Sequence, residues 1–306
     1  MNKKKLMDIL KTLLKVAITA GAIYWVSAKI TPEQLQELKV GILNSNPWYL
    51  LLALILYSCS ILMASSRLNS FFKAIGINLP ERYNLRLYQL GLLYNFFLPG
   101  GIGGDGYKIF FLKKNFNISR RKVLGAVFFD RLSGLWALAM VIGALIIFMP
   151  RLAIPNYLTI SVLLIGTLSY LYVLRLYFKE FLHNFLTTHI KALFVQGFQA
   201  AAAIAILYSI GFDGKFSPYI FIFMISSLTA IIPSVGGAIG VRDNAMVELA
   251  KYLQLTKEIS LTMSIVFYII SLIVASSGLY YLFRPQRLGT DKLPSAKEVE
   301  EELEKD

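Results

Sequence analysis

Seven polar residues in this 306-residue chain stand where the flanking sequence is apolar enough for a bilayer: Asp105, Lys108, Asp130, Arg131, Arg242, Asp243 and Asn244. A charge at membrane depth costs at least about 2.5 kcal/mol unless it is paired or hydrated. Arg131 and Arg242 suit a phosphate, because a planar guanidinium holds two oxygens at once. Asp105 and Asp243 suit an amine, a hydroxyl or those same arginines. Asp130 and Arg131 are adjacent and point about 100° apart on a helix, so each needs a different partner. Asp130 calls for a lysine or arginine, Arg131 for a carboxylate or phosphate. Structural roles compete with binding at every one of these positions. Asp105 could cap a helix starting near Gly104, Lys108 could snorkel to the interface, and Arg242 could pair with Asp105 or Asp130.

Two of the three clusters follow a glycine-rich break. The first is Pro99-Gly100-Gly101-Ile102-Gly103-Gly104, ahead of Asp105. The second runs from Pro233 through Gly236, Gly237 and Gly240 to Arg242. Glycine lets the backbone turn and approach a ligand closely, and the helix that starts after each break presents free amides to an anion. Non-helical backbone at membrane depth is tolerated only inside protein or beside a watery cavity. A paired interruption of this kind points to a midplane substrate site.

The elements that must position these residues are helices. The chain is 56% hydrophobic with a mean hydropathy of +0.60, which excludes an ordinary soluble domain. Six segments are long enough to span: Leu6–Ala28, Trp48–Ser66, Val123–Met149, Ile154–Leu174, Ala192–Ile210 and Ile259–Phe283. Val26-Ser27-Ala28 also resembles a signal-peptide cleavage site, a rival reading of the first. Two pairs of shorter segments flank the breaks, Leu85–Leu98 with Ile102–Leu112 and Pro218–Ile232 with Gly237–Ala250. They fall short of about 30 Å of hydrocarbon and read as re-entrant hairpins.

The expected fold is therefore an all-α polytopic membrane protein, with about six full transmembrane helices and two oppositely oriented re-entrant hairpins forming an inverted repeat. Residues 1–284 form one domain and 285–306 a polar, disordered tail. Sidedness follows from lysine and arginine. The start, the tail and the loops at 67–86, 108–122 and 175–191 hold 23 of the 31, against 6 on the other side. The positive-inside rule then puts both termini in the cytoplasm, at a plasma (inner) membrane. The net charge of +13 lies in segments flanking the spans, which favours a membrane over nucleic acid as partner. Cys59 is the single cysteine and has no intramolecular partner. His183 and His189 make no metal site. No Walker loop, nucleophile elbow or Asp-x-Asp pair is present, so neither a cofactor nor an enzymatic activity is expected.

Three ordered motifs carry a resemblance: Leu98-Pro99-Gly100-Gly101-Ile102-Gly103-Gly104-Asp105; Asp130-Arg131 with Gly134-Leu135; and Pro233 through Arg242-Asp243. Together they resemble the transmembrane region of lysylphosphatidylglycerol synthase/flippase proteins, over about residues 8 to 284. The family more often has a glutamate after the arginine of the last motif, where this chain has the shorter Asp243. The resemblance implies a lipid flippase, whose partner is a membrane phospholipid or lipid-linked headgroup. The aminoacyl-transfer domain of full-length members has no counterpart here, so lipid aminoacylation is not implied. A membrane-embedded transferase on a polyprenyl-phosphate donor, with Asp105 as base, and a scaffold for a partner enzyme are the alternatives.

Overall fold

The computed structural model describes residues 45–97, 103–116, 119–149, 152–231 and 241–289. The expected first span, Leu6–Ala28, lies outside them. So do Pro99, Gly100, Gly101, Pro233, Gly236, Gly237 and Gly240 of the breaks, and the tail beyond 289. The described residues are helical, without a strand among them. In chain order they form α1 (Pro47–Ala74), α2 (Glu81–Phe97), α3 (Gly103–Phe116), α4 (Arg120–Ile147) and α5 (Asn156–Tyr177). After a single turn at Lys179–Leu182 come α6 (Phe185–Ser209), α7 (Phe216–Ser227), α8 (Val241–Tyr252) and α9 (Lys257–Ser276). Among the described residues, five helices are long and apolar enough to cross a membrane: α1, α4, α5, α6 and α9 with the turn that extends it to Phe283. Each matches a span expected from hydropathy. The helices flanking the breaks have 17, 14, 12 and 12 residues.

At the centre, α1 lies along α6. They run antiparallel: the Asn46 amide at the start of α1 donates to the Ser209 carbonyl at the end of α6 at 2.7 Å. At the other end, Lys191 on α6 donates to the hydroxyls of Ser66 and Ser70 on α1, both at 2.9 Å. Small residues line this seam, with Ala53, Ser60 and Ala64 on one helix and Ala202, Ala203 and Ala205 on the other all buried. Small side chains let two helices approach where lipid offers no hydrophobic drive to associate. The helices also end alike. Ile75-Gly76-Ile77 and Ile210-Gly211-Phe212 each place glycine at positive φ (88° and 73°). In each, the next residue's amide bonds back to the fifth residue before it. This is the Schellman cap, which needs the left-handed conformation that glycine adopts without strain.

Two helix pairs pack against that centre. α2 and α3 pack on each other, and α7 and α8 on each other. α2 also touches α1 and α9, while α7 touches α6 and α4; α3 lies on α4, and α8 on α9. Helix α5 rests on α4 and turns apolar side chains outward, among them Leu164, Ile165 and Leu168, each more than half exposed. A helix that is apolar on its exposed face is suited to lipid contact.

The loop boundaries expected from hydropathy move. No helix breaker intervenes before Gly76, so α1 continues to Ala74 and encloses Arg67. Lys108 lies inside α3 and Lys191 inside α6. All three had been counted in cytoplasmic loops. The tail also begins later than expected. Pro285–Leu288 forms a 3-10 turn held by Tyr83 Oη to the Leu288 carbonyl at 3.0 Å and by Arg86 Nη1 to the Arg287 carbonyl at 2.9 Å.

Candidate functional site

The first charge cluster is built where α3 crosses α2 and α4. Asp105, third residue of α3, is buried. Lys108 Nζ donates to its Oδ1 at 3.0 Å, and Arg131 Nε on α4 donates to its Oδ2. Lys108 is also buried and sits 4.5 Å from the ring centre of Tyr88 on α2. It does not snorkel, because Asp105 and the ring take it inward. Among the described residues, the Asp105 side chain accepts from Lys108 and Arg131 and not from an amide of its own helix. Asn95 on α2 caps that helix, with Oδ1 accepting from the Gly104 amide at 3.1 Å. The α2–α3 crossing is tight, since a Cβ added at Gly104 would lie 2.0 Å from the Gly91 carbonyl oxygen.

Asp130 faces elsewhere, as its spacing from Arg131 requires. It receives Arg67 on α1 through Nε to Oδ1 at 2.8 Å and Nη2 to Oδ2 at 3.1 Å. Both residues are buried. Arg67 is the charged residue that the sequence reading assigned to a loop. The signal that would have placed it is the absence of glycine or proline between Trp48 and Gly76.

The second cluster belongs to α7, α8 and α9. Arg242, second residue of α8, lies 4.3 Å from the ring centre of Phe223 on α7 and 4.7 Å from that of Phe267 on α9. Its Nε and Nη2 reach the hydroxyls of Ser226 and Ser227, each at 3.3 Å. Among the described residues no carboxylate lies within ion-pair distance of it, so the expected alternative of pairing with Asp105 or Asp130 fails. Those carboxylates are taken by Lys108 and Arg131, and by Arg67. Asp243 is buried and accepts from Ser264 Oγ on α9, while Asn244 is exposed. Glu248 pairs with Lys251 at the surface.

The two clusters share a plan. Tyr88 is the eighth residue of α2 and Phe223 the eighth of α7. Each holds under it a basic residue from the helix that follows the break. Asp105 and Asp243 are both third in their helices, where a carboxylate favours the positive N-terminal end. The difference is in neutralisation. Lys108 has a carboxylate; Arg242 has two hydroxyls and two aromatic faces. Contact of this kind shields one side of the guanidinium, since the two ring centres lie only 4.7 Å from each other, and is worth up to about 2 kcal/mol. It leaves the in-plane edge, which suits the oxygens of an anion.

His189 is buried against Phe185, Trp136 and Tyr170, and no group of three potential metal ligands occurs among the described residues.

Against known proteins, residues 12–277 match the family described as the lysylphosphatidylglycerol synthase TM region. A UPF0104 membrane protein of Pyrococcus horikoshii is 34% identical over 86 residues, which is 28% of this chain and 26% of that protein. The matched part thus covers about a quarter of that relative's length. The family match takes in all three glycine- and charge-bearing motifs and all five long apolar helices, and the chain belongs to the lysylphosphatidylglycerol synthase transmembrane-region family.

Proposed function

We propose that this protein moves a phosphate-bearing lipid headgroup between the leaflets of a membrane, without itself being an enzyme. Arg242 carries the reading. It is a cation set against two aromatic rings and joined to hydroxyls rather than to a carboxylate, at the N-terminal end of a helix. That is the equipment of an anion site.

Packing supports a transport mechanism. Exchanging α1–α4 for α6–α9 converts each observed contact into another observed one. The α1–α2 contact becomes α6–α7, α3–α4 becomes α8–α9, α1–α4 becomes α6–α9, and α2–α9 becomes α7–α4. Because α1 and α6 are antiparallel, the operation that exchanges them turns the molecule over, as in an inverted repeat. At about 1.5 Å per residue, α2 and α3 reach roughly 25 and 21 Å, and α7 and α8 roughly 18 Å each. All are short of the bilayer core, so each pair enters and returns on one side, the two from opposite sides. With both termini cytoplasmic, the α2–α3 hairpin opens inward and the α7–α8 hairpin outward.

The transferase alternative needs a base free to take a proton, and Asp105 is held by Lys108 and Arg131.

Reconstitution tests the proposal. Vesicles containing fluorescent phosphatidylglycerol, phosphatidylethanolamine or phosphatidylcholine are treated with dithionite, which quenches only the outer leaflet. Protein-containing vesicles should lose the protected half faster than empty ones for at least one of these phosphate-bearing headgroups. Equal rates for all probes would remove the transport reading.

A further inference from the structure

Helix α9 is gripped by both helix pairs, each at a different end. At its start, the Thr256 amide donates to Tyr219 Oη on α7 at 3.1 Å. Two turns on, Ser264 donates to Asp243, and Phe267 lies against Arg242, both on α8. From there the chain runs along α2. Tyr268 meets Phe96 with ring centres 5.6 Å apart. A Cβ added at Gly278 would stand 2.5 Å from the Gln89 carbonyl oxygen. At the far end Tyr83 and Arg86 donate to the Leu288 and Arg287 carbonyls, at 3.0 and 2.9 Å. These contacts descend α2 from Phe96 to Tyr83 while the chain climbs from Tyr268 to Leu288, so the two lie antiparallel. Lys257–Phe283 alone has 27 residues, roughly 40 Å of helix, so the two end grips stand about a bilayer apart.

Local chemistry suits each grip. The amides of Ser277, Gly278, Tyr280 and Tyr281 bond to the third residue back instead of the fourth. A Ser-Gly pair with such a tightening is where long helices change direction. Beyond it the chain stays on α2 as far as Leu288, which is 1% exposed. The end grips use one side chain in opposite senses. The start of a helix leaves amides unpaired, and its end leaves carbonyls. A phenol accepts from the first and donates to the second. Helix α2 in turn holds the start of α3 through Asn95, so a shift of α2 carries Asp105 with it.

We propose that α9 and the strap that continues it, residues 277–288, form the coupling rod between the two helix pairs. An anion drawn to Arg242 moves α8 against Phe267 and Ser264, and the rod passes that movement to α2 at its other end. The pairs then open in turn and not together. The inference rests on the transport reading above and adds the part that makes its two hairpins act in step.

The test follows amide hydrogen exchange of the full-length protein in detergent, with dioctanoyl phosphatidylglycerol, phosphatidylethanolamine or phosphatidylcholine added. In wild type, a lipid that changes exchange in α8 should also change it in α2, which contributes nothing to the Arg242 site. Tyr83→Phe with Arg86→Ala removes both bonds to the strap and leaves Arg242, Asp105 and Lys108 in place. The response at α8 should persist in this variant and the response at α2 should fall at least about twofold. Transfer in vesicles should slow about tenfold, the worth of one or two lost hydrogen bonds. Tyr83→Phe alone, the milder change, should give the same split at smaller size and carries the comparison if the double variant unfolds. A strap that only stabilises the fold would lower the unfolding midpoint while α2 still responds to lipid as in wild type, which would overturn the rod. A wild-type response that stops at α8 would overturn the rod alone. No response at α8 to any of the three lipids would overturn the Arg242 reading and the rod with it.

Discussion

Arg67 and Asp130, 63 residues apart, are joined by two parallel hydrogen bonds of 2.8 and 3.1 Å inside the protein. The pair ties α1, half of the central antiparallel seam, to α4, the helix whose next residue, Arg131, holds Asp105. One turn of α4 therefore fixes both the centre of the fold and the first helix pair.

Removing one partner strands a charge. Arg67→Met should cost about 3–5 kcal/mol, whereas Arg67→Met combined with Asp130→Leu should recover most of it, because an apolar pair of similar volume avoids the desolvation penalty. Thermal unfolding in detergent, followed by tryptophan fluorescence, measures both. A single variant as stable as wild type would show that the pair is dispensable.

The crossing of α2 and α3 depends on glycine. In Gly104→Ala the new methyl would stand 2.0 Å from the Gly91 carbonyl oxygen, so the helices must part, at a cost of about 1–3 kcal/mol. Gly197→Ala, on α6 with nothing within 4 Å, should instead gain up to about 1 kcal/mol from helix propensity. Unfolding midpoints of the two variants should move in opposite directions.

Arg242 should tolerate no other cation. Lysine keeps the charge but has no planar face to set against Phe223 and Phe267, and a single nitrogen in place of the two that reach Ser226 and Ser227. Transfer of the fluorescent anionic lipid should fall at least tenfold in Arg242→Lys and further in Arg242→Ala, with unfolding little changed. A fully active Arg242→Lys would reduce the site to a point charge.

Sidedness and helix direction can be read chemically. With Cys59 replaced by serine, Asn46→Cys and Ser209→Cys should crosslink under mild oxidation, since the backbone contact between these residues is 2.7 Å and brings their Cα atoms within disulfide reach. Used singly, the exposed Asn46→Cys should react with an impermeant maleimide from outside the cell, and Gly289→Cys only after permeabilisation. Labelling of Asn46→Cys and Gly289→Cys from the same side would refute the proposed topology.

Much of this architecture was legible in the chain. Long apolar runs identify α1, α4, α5, α6 and α9, since only helices satisfy every backbone group in lipid. The two glycine breaks separate helices too short to cross. The 100° offset between Asp130 and Arg131 correctly required different partners for them. Arg67 was misplaced because hydropathy marks where a span becomes polar, not where its hydrogen-bond ladder stops; the ladder runs on to the cap at Gly76. Tyr88, Phe223 and Phe267 were invisible for a different reason. In a sequence with 17 tyrosines and 21 phenylalanines, a ring that holds a cation looks like any ring that fills a core.

By itself, the sequence determined that the protein is helical, that it has five apolar spans between residues 45 and 289, and that its charges gather beside two glycine breaks. Period, length and turn chemistry are local properties, and each is written in a few consecutive residues. Only the tertiary structure decided that Asp105 and Asp130 are already neutralised while Arg242 meets hydroxyls and aromatic faces. Which ion meets which depends on how helices far apart in sequence cross, and those crossings are set by small residues at contact points such as Gly91 with Gly104 and Ala53 with the alanines of α6.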